Sequence, residues 1–575
     1  MASEAIPAPK PYRGWPTAAL AGVYWIFQIV NAQMDMPMFA RFLSGALSAL
    51  LFLVLFLVLW LSNGTLPGRV RLLGLGLILS GAALGILLSH KSFQAMGFLM
   101  TSVPPVLTAG ALWIYLARLW KPRTAVAVLS AGILGGFLYF DLIRWDGLDG
   151  RLRSSTSWRW TPTEEAAYLA SRNAAAPTST KAWSLKSGDW PEFRGARRDG
   201  VVHGLRIETN WKDVPPTLLW KHRAGPGWSS AVLIDGFLVT QEQRGESEAV
   251  VCYEAESGRE VWAHEDQARF TEGIAGAGPR ATPTFREGRL YTLGGSGIVN
   301  CLEASTGNVV WRRDLHQGSA ATPPQWGYAA SPLVVDGKVI VFAGGPSASG
   351  IVALDAATGT PVWTKLAGKE SYASAQLLTV RGKPQLLMSD NKSLAALAVA
   401  DGATLWERPN PSEAVIPMLQ SSPVDDTRVL VAAGQGLALL ELKEEGGKWN
   451  AAELWSTAKF RPSFSNFVLH DGHVYGFDEG VLACVDLRTG ERVWRKGRYG
   501  NGQLILLADQ GLLILISEKG ELALVEAKPQ EPGEIVRIPS IEGKTWNHPA
   551  VAQDRIIVRN GTEMACYRLR PLKSP

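Results

Sequence analysis

The side chains in this sequence that could bind or react with a ligand are mainly amides, hydroxyls and one guanidinium. They are scattered along the second half of the chain. A guanidinium presents a planar fork that can bind a carboxylate through two hydrogen bonds. A histidine among amides is either a base or a hydrogen-bonded structural residue. Together these groups favour a small, polar, anionic ligand, and the candidate binding residues are Arg280, Thr282, Gln241, Glu242, Asn466, Asn547 and His548.

No catalytic or metal-binding signature accompanies these candidates. The sequence contains no Walker motif, no H-E-x-x-H and no G-x-S-x-G, so no catalytic residue is assigned. His470 and His473 bracket an Asp-Gly turn and are interpreted as turn residues, so no metal site is assigned. The net charge of +5 over 575 residues, without a basic patch interleaved with aromatic residues, argues against nucleic-acid binding.

The chain repeats one unit from about residue 190 onward. In each copy a small residue precedes a tryptophan by ten positions, and a glycine-containing turn lies between them, as in residues 353–363 with Thr358-Gly359. Glycine supplies the positive φ of a tight hairpin, so each copy predicts two strands. Another hairpin precedes each copy, as at Asp235-Gly236, Glu287-Gly288, Asp336-Gly337 and Asp471-Gly472. Each unit therefore predicts four antiparallel strands, which form one propeller blade.

Counting these units predicts a closed ring. The tryptophans that end the outer strands fall at 220, 262, 311, 363, 406, 455 and 494, with an eighth equivalent near Val536. The strand at residues 218–221 lacks a preceding set, and the last set lacks its fourth strand. One completes the other, so we predict an all-β, eight-bladed β-propeller without an open edge. The seven candidate residues are expected to line its central channel.

The four cysteines occupy equivalent positions in these repeats. Cys252, Cys301, Cys484 and Cys566 stand where Ala353 and Ala396 stand in other blades. The spacing contains no C-x-x-C pair, which argues against a zinc site, a haem-attachment site or a disulfide framework. The position needs a small apolar residue, and the cysteines are therefore predicted to be buried structural residues.

The N-terminal part is predicted to be a multi-pass α-helical membrane domain. A bilayer requires about 20 apolar residues in a helix. The first of the apolar stretches carries Gln28 and Asn31 and is marginal, and the fourth contains Pro104-Pro105. The five stretches cover residues 14–30, 42–61, 72–88, 97–119 and 124–143.

The distribution of basic residues predicts the orientation of this domain. If all five stretches cross, one side carries a marked excess of lysine and arginine, which favours a cytoplasmic N-terminus. An odd number of spans then places the rest of the chain outside the cytoplasm, at a bacterial inner membrane with a periplasmic propeller. The seven residues on the predicted cytoplasmic side are Lys10, Arg13, Arg69, Arg71, Arg118, Lys121 and Arg123.

Three segments follow from this organisation. Residues 1–145 form the membrane domain of about five helices, residues 146–187 a linker with a short helix, and residues 188–575 the propeller. The helix is predicted to start with Thr161 as N-cap and Pro162 in the first position, with acidic residues in the first turn. Residues 174–181, rich in Ala, Ser and Thr, are predicted to be flexible linker.

The repeats resemble the PQQ-type repeat, A-x-D-x-x-T-G-x-x-x-W, which is best matched by Ala353, Asp355, Thr358, Gly359 and Trp363. Quinoprotein dehydrogenases, which bind PQQ and a metal ion, share this repeat with non-enzymatic propellers of the BamB type. The segments at residues 190–195, 241–245 and 278–283 also resemble a group of membrane-anchored bacterial PQQ-like propellers. Such a fold does not by itself choose between these functions.

Two functions remain open from the sequence. One is a ligand- or protein-binding scaffold that is anchored in the lipid bilayer and holds a protein partner on a propeller face. The other, implied by the resemblance to membrane-bound glucose and alcohol dehydrogenases, is a PQQ-dependent enzyme with Ca²⁺ that passes electrons to membrane quinone. Blades of about 44 residues leave little room for long active-site loops, and this favours the scaffold. A closed or apolar channel would favour it further.

Overall fold

A computed structural model describes residues 14–34, 38–93, 95–148, 154–172, 182–316, 323–344, 350–412, 416–531 and 533–572 of the protein. The chain divides into two compact units, Met1–Thr161 and Pro162–Pro575. Lys10 and Arg13, which enter the predicted orientation, lie outside the described residues, as do residues 174–181 of the predicted linker.

The N-terminal unit is helical, as predicted. Four of its helices, α2 to α5, are long and apolar enough to cross a membrane. α1 corresponds to the first apolar stretch, which the sequence predicted to be a marginal membrane span. α4 continues through Pro104-Pro105. The helices are α1 (Trp15–Gln33), α2 (Met38–Ser62), α3 (Gly68–Leu88), α4 (Ala95–Leu116) and α5 (Pro122–Asp141).

The polar side chains of α1 form hydrogen bonds with side chains of α2. Gln28 Nε2 donates to Ser48 Oγ at 3.2 Å, and Asn31 Oδ1 accepts from Ser44 Oγ at 2.8 Å. Val23 and Ile26 are exposed on another side of the same helix. This arrangement suits a lipid-facing helix, because a polar group inside a bilayer needs a protein partner.

Two glycines bring α3 close to its neighbours. A Cβ added to Gly81 would lie 2.5 Å from the Phe137 ring of α5, and one on Gly85 would lie 2.4 Å from the Phe98 ring of α4. Since even a methyl group would overlap these rings, both glycines permit close helix packing.

A hairpin ends the N-terminal unit and a short helix begins the C-terminal unit. The hairpin consists of β1 (Ile143–Leu148) and β2 (Ser154–Trp158), and the helix is α6 (Glu164–Ser171). Its N-cap is Thr163, whose hydroxyl accepts from Ala166 N at 3.0 Å. The predicted N-cap, Thr161, is therefore two residues too early. Capping by Thr163 places both glutamates beside the unpaired N–H groups of the first turn.

The C-terminal unit is an eight-bladed β-propeller, which confirms the predicted fold. Two strands, β3 (Val201–Val202) and β4 (Thr217–Arg223), precede the first complete blade. Blade 1 contains β5 (Val232–Ile234), β6 (Phe237–Arg244), β7 (Ser247–Glu254) and β8 (Glu260–Asp266), and the hairpin β9 (Thr271–Glu272) with β10 (Gly276–Ala277) follows it. Blade 2 contains β11 (Thr284–Arg286), β12 (Arg289–Leu293), β13 (Ile298–Glu303) and β14 (Val309–Asp314). Blade 3 contains β15 (Leu333–Val335), β16 (Lys338–Phe342), β17 (Ile351–Asp355) and β18 (Pro361–Lys365).

The remaining blades follow the same order from the inner to the outer strand. Blade 4 contains β19 (Gln376–Val380), β20 (Lys383–Ser389), β21 (Ser393–Leu397) and β22 (Thr404–Pro409). Blade 5 contains β23 (Ser422–Pro423), β24 (Arg428–Ala433), β25 (Gly436–Glu445) and β26 (Lys448–Thr457). Blade 6 contains β27 (Val468–His470), β28 (His473–Asp478), β29 (Val481–Asp486) and β30 (Arg492–Arg498). Blade 7 contains β31 (Gln503–Leu507), β32 (Leu512–Ile516), β33 (Glu521–Glu526) and β34 (Glu534–Pro539), and blade 8 begins with β35 (Ala550–Ala552), β36 (Arg555–Arg559) and β37 (Glu563–Arg568).

The two ends of the propeller close the ring in blade 8. β37 pairs antiparallel with β4, so that Cys566 faces Trp220 across the pair. This is the closure that the repeat count predicted. The sequence did not predict β3, which pairs in parallel with β31 and adds a fifth strand at the inner edge of blade 7.

In six of the eight blades a repeat tryptophan joins the blade to the next one, whereas Trp406 of blade 4 donates to Gln385 Oε1 of its own blade. Trp311 Nε1 of blade 2 donates to Ala356 O in the last turn of blade 3 at 2.9 Å, and its ring lies against Gly359 of that turn. Gly359 has φ +72°, and a Cβ there would lie 2.6 Å from the indole. The glycine is therefore required twice, once by the backbone and once by the ring. The same indole-to-carbonyl bond is made by Trp220, Trp262, Trp363, Trp455 and Trp494.

The cysteines fill the position opposite this tryptophan. Cys252 pairs with Trp262 and Cys301 with Trp311, as Ala353 pairs with Trp363. All four cysteines are free and buried, which confirms the structural interpretation. Burial raises the pKa of the Cys301 thiol to about 11, and such a thiol is a poor nucleophile.

Gly359→Ala should destabilise the propeller more than Gly337→Ala does. Both glycines have positive φ, but a Cβ on Gly337 meets nothing within 4 Å. Gly337→Ala carries only the backbone cost of about 1–2 kcal/mol, whereas Gly359→Ala adds an overlap with Trp311 of about 1–3 kcal/mol. Thermal unfolding of both variants in detergent measures the difference. Equal losses would contradict the double role of Gly359.

Candidate functional site

The inner ends of the blades form a ring of side-chain hydrogen bonds around the central channel. In the first part of the ring, Ser230 N donates to Thr282 Oγ1 at 3.1 Å, Thr282 N to Ser331 Oγ at 2.9 Å and Ser331 N to Ser374 Oγ at 2.9 Å. Each bond joins the backbone of one blade to a hydroxyl of the next. Thr282, a predicted ligand-binding residue, therefore works here as a connector between blades 1, 2 and 3.

Amides continue the ring through the other blades. Gln420 N donates to Asn466 Oδ1 at 3.1 Å, and Asn466 N donates to Gln503 Oε1 at 3.3 Å. The other junctions use Gln420 Nε2 to Ala375 O, Gln503 Nε2 to Trp546 O and Asn547 Nδ2 to Ser229 O. All eight junctions are bridged in this way. Among the candidate residues, Thr282, Asn466 and Asn547 belong to this ring and bond to neighbouring blades.

The channel is filled from one end by the chain's own residues 190–204. Trp190 forms an antiparallel bridge with Leu233 of blade 1, Pro191 O accepts from Phe285 N of blade 2, and Gly200 O accepts from Leu506 N of blade 7. We call residues 190–204 the plug. The plug includes β3 and contacts inner strands around most of the ring, which a loop lying on the surface would not do.

Two buried arginines fix the plug. Arg198 forms an ion pair with Glu192 at 2.8 Å and donates to Ser331 O and Pro332 O of blade 3. Arg194 Nη2 donates to Phe467 O of blade 6 and to Asp199 O. Residues 190–195 were noted only for their resemblance to other propellers, and the sequence predicted no role for Arg194 or Arg198. Their partners are mostly backbone carbonyls, which leave no signal in a sequence.

Gln241 and Glu242 lie on β6, the second strand of blade 1. Gln241 Nε2 donates to Ala281 O at 2.6 Å and Leu293 O at 3.2 Å. Glu242 is buried beside Arg244, with Oε1 2.8 Å from Nε, and accepts from the Tyr168 hydroxyl of α6. The two candidates therefore join the blades and hold α6, and a role in ligand binding stays a prediction.

The Glu242 network is ionised within the protein. Burial alone would raise the pKa of Glu242, but Arg244 and Arg559 hold it below its ordinary value. Arg244 also pairs with Glu260 at 2.8 Å, and Glu165 of α6 binds Arg269 through both oxygens at 2.9 Å. α6 is tied to blade 1 by the Tyr168 hydroxyl and by the pair between Glu165 and Arg269.

Arg280, the predicted carboxylate partner, is held by its own loop. Nη2 pairs with Glu272 at 3.3 Å and donates to Gly276 O at 2.9 Å, and Nη1 donates to Gly278 O. The guanidinium also lies 4.5 Å from the centre of the Phe270 ring. Glu272 is only eight residues away, and the β9–β10 hairpin folds it back onto the arginine. The fork is thus already occupied by protein groups.

Asn466, Asn547 and His548 lie together at the channel. Asn466 Nδ2 is 3.1 Å from His548 Nε2, and the Phe193 ring of the plug contacts the His548 ring edge-on, with centroids 5.0 Å apart. Burial and the nearby Arg194 hold the pKa of His548 well below its ordinary value. His548 is consequently neutral at pH 7, in a site that Arg194 makes positive.

A second concavity lies beside the plug. This cavity, of about 250 Å³, is bordered by Arg197, His203 and Asp199 of the plug and by His470 and Asp471 of blade 6. His470 and His473 face each other across the predicted turn, and His473 Nδ1 contacts Asp471 O at 2.8 Å. These histidines therefore serve the turn, as the spacing indicated.

The described residues do not fit a calcium–PQQ pair. Calcium takes about six to eight oxygen ligands, mostly carboxylates and carbonyls. Within the described ranges, no group of three or more His, Cys, Asp or Glu residues could hold a metal ion. Arg280, the guanidinium predicted to bind a carboxylate of the ligand, is already paired with Glu272.

The fold and the channel define a class of protein, the eight-bladed propellers with PQQ-like repeats. The family model described as "Outer membrane protein assembly factor BamB" matches residues 246–496. BamB of Shewanella oneidensis is 23% identical over 247 residues, which cover 40% of this chain and 60% of that protein. The chain therefore spans about three fifths of the length of this relative.

Solved structures of both functional groups resemble the propeller. BamB from Moraxella catarrhalis has a TM-score of 0.45 and 16% identity, covering 62% of this chain and all of that one. A europium-containing methanol dehydrogenase has a TM-score of 0.41 and 12% identity, covering 67% of this chain and 98% of the enzyme. At these identities the resemblance concerns the fold alone.

Thr282→Val should destabilise the propeller, whereas Thr292→Val should not. Both threonines are buried, but Thr282 Oγ1 accepts from Ser230 N and Thr292 Oγ1 has no partner among the described residues. Loss of the acceptor at residue 282 leaves the buried Ser230 N–H without a hydrogen bond, which costs about 1–3 kcal/mol. Removal of an unpaired hydroxyl at residue 292 should be neutral or stabilising. Thermal unfolding decides, and a neutral Thr282→Val would refute the structural role of the ring.

Proposed function

We propose that the chain is a membrane-anchored, extracytoplasmic β-propeller that acts as a binding or scaffold module for a protein partner. The observation that carries this proposal is the plug, which bonds to inner strands on several sides of the ring. The polar ring is engaged in bonds between blades. A partner is therefore expected on the outer surfaces of the propeller rather than in its centre.

The outer strands of the blades differ in how much apolar surface they expose. The residue before the repeat tryptophan is an aliphatic residue in every blade, and its exposure can be compared in the same register. In five blades this side chain is 40–48% exposed, but Val261 of blade 1 is only 2% exposed. The exposed set is Val310, Val362, Leu454, Val493 and Ile535, on blades 2, 3, 5, 6 and 7.

Blades 1 and 4 are covered by the chain itself. At blade 1, Arg172 binds Glu265 at 3.3 Å, and Trp183 joins the hydrophobic cluster that contains Val261. At blade 4, the long β25–β26 hairpin reaches β22 and brings Trp449 against Leu405. An uncovered outer strand is a ready site for pairing with another chain. Blades 2, 3, 5, 6 and 7 keep that capacity.

The relatives support a protein as the partner. The matching family model and the related sequence are both named as an outer membrane protein assembly factor. Assembly of other proteins is a role that requires an open protein-binding surface rather than a cofactor. Partner binding through the outer strands is consistent with that name.

The localisation proposed is a bacterial inner membrane, with a cytoplasmic N-terminus and a periplasmic propeller. It depends on α1 crossing the bilayer as a fifth span beside α2 to α5. The internal bonds of Gln28 and Asn31 support such a crossing, because these were the residues that made α1 marginal. Arg69, Arg71, Lys121 and Arg123 then lie on the cytoplasmic side.

Cysteine labelling tests the location and the partner together. Val362→Cys and Val493→Cys introduce exposed thiols, whereas the four native cysteines are buried and should stay silent. We expect a membrane-impermeant maleimide to label both variants in cells with a permeabilised outer membrane. Labelling should be several-fold slower in native membranes than in detergent-purified protein, because a partner covers the strands.

Val261→Cys is the matched control, since it has the same register but is buried. It should remain unlabelled in both preparations. Labelling only after lysis of the inner membrane would overturn the orientation, and equal rates in both preparations would overturn the partner surface. A stoichiometric complex with added PQQ and calcium would instead favour the dehydrogenase.

A further inference from the structure

Arg194 of the plug is a buried guanidinium with unused donors. Its side chain is among the largest that are almost completely buried in the protein, at 2% exposure. Nη2 is used by the carbonyls of Phe467 and Asp199, the latter at 2.8 Å. Nη1 and Nε have no hydrogen-bond partner among the described residues. Leaving the N–H donors of a buried charged group without acceptors costs free energy, so an acceptor at this site would stabilise the protein.

Three other buried arginines have carboxylate partners, whereas Arg559 bonds to Thr240 Oγ1 and to the carbonyls of Gln241 and Gly225. Arg198 pairs with Glu192, Arg244 with Glu242 and Arg280 with Glu272. Among the described residues no carboxylate lies within 4 Å of the Arg194 guanidinium, whereas Asp199 directs its carboxylate to Arg197 at 3.2 Å. Burial lowers the pKa of Arg194 to about 10, which leaves it charged at pH 7. The buried guanidinium feels the charge of Asp199 but forms no ion pair among the described residues.

The surroundings of Arg194 are polar. His548, whose ring contacts Phe193, feels the charge of Arg194 and is 3.1 Å from Asn466 Nδ2. Asn466 directly precedes Phe467, the carbonyl that Arg194 binds. Ser465, one residue earlier, is fully buried, and its hydroxyl also lacks a partner among the described residues. Two kinds of unused donor, a guanidinium and a hydroxyl, therefore belong to adjoining parts of the channel.

We propose that the central channel binds a small monovalent anion, a halide or a single carboxylate group, at Nη1 of Arg194. The anion neutralises the buried guanidinium and accepts from the Ser465 hydroxyl. Two acceptors at the channel without a described partner, Asn547 Oδ1 and Gln420 Oε1, disfavour a multiply charged ligand. This site lies next to the plug and is distinct from Arg280, whose donors are occupied.

Thermal unfolding in halide-free buffer tests this site. Bromide is titrated against sulfate at constant ionic strength, and acetate is titrated in a separate arm to distinguish a halide from a carboxylate. Saturation of a site that exists only in the folded protein should raise Tm by roughly 2–4 °C. We expect this rise in the wild-type protein and its loss in Arg194→Gln.

Arg280→Gln is the matched control, because Arg280 is also buried but is already neutralised by Glu272. It should lower Tm and keep the dependence on the anion. No rise with either anion, or the same rise in Arg194→Gln, would overturn the proposal. If Arg194→Gln does not fold, wild-type crystals soaked in bromide decide instead. An anomalous peak within hydrogen-bonding reach of Nη1 supports the site, and a water in that place refutes it.

Discussion

The contact between each tryptophan and the turn of the next blade is the interaction on which the propeller depends. The indole needs a glycine beneath it, a carbonyl beside it and a small residue opposite it. These three needs explain the glycine, the tryptophan and the alanine or cysteine of the repeat. Because six of the eight blades hold the next one through this contact, errors in spacing add up around the ring. Eight blades close only because β4 returns to complete the last one.

The same closure determines what the centre of the protein can do. Bonds between neighbouring blades converge on the channel, where polar residues satisfy backbone N–H groups that would otherwise be buried without partners. The plug then satisfies further inner-strand groups from one end. A propeller with this interior has little room for a bulky cofactor, and its variable surface lies outside. One fold can thus serve enzymes and scaffolds, since the function resides in the sites.

The sequence predicted what depends on local chemistry. Asp-Gly and Thr-Gly turns, the tryptophan register and the four buried cysteines were all placed correctly, because glycine conformation and residue size constrain short segments. The positions of Thr282, Asn466 and Asn547 near the channel also followed. Their hydrogen-bond partners did not, because a polar side chain facing a channel looks the same in sequence whether it binds a ligand or a neighbouring backbone.

Long-range partners were beyond sequence reasoning. Arg280 was expected to offer a free fork, but the hairpin that carries Glu272 has only two residues in each strand and gives no periodic signal. Tyr168 meets Glu242 across 74 positions, and Arg194 meets Phe467 across 273. The role of the plug follows only from these contacts.

Amide hydrogen exchange of the intact protein tests that role most directly. The N–H groups of the plug that form hydrogen bonds are those of Trp190, Gly195, Arg198 and Gly200. We expect them to exchange as slowly as those of Leu233 and Leu506 in the inner strands. Exchange of residues 190–204 at the rate of an exposed loop would contradict a channel closed by the plug.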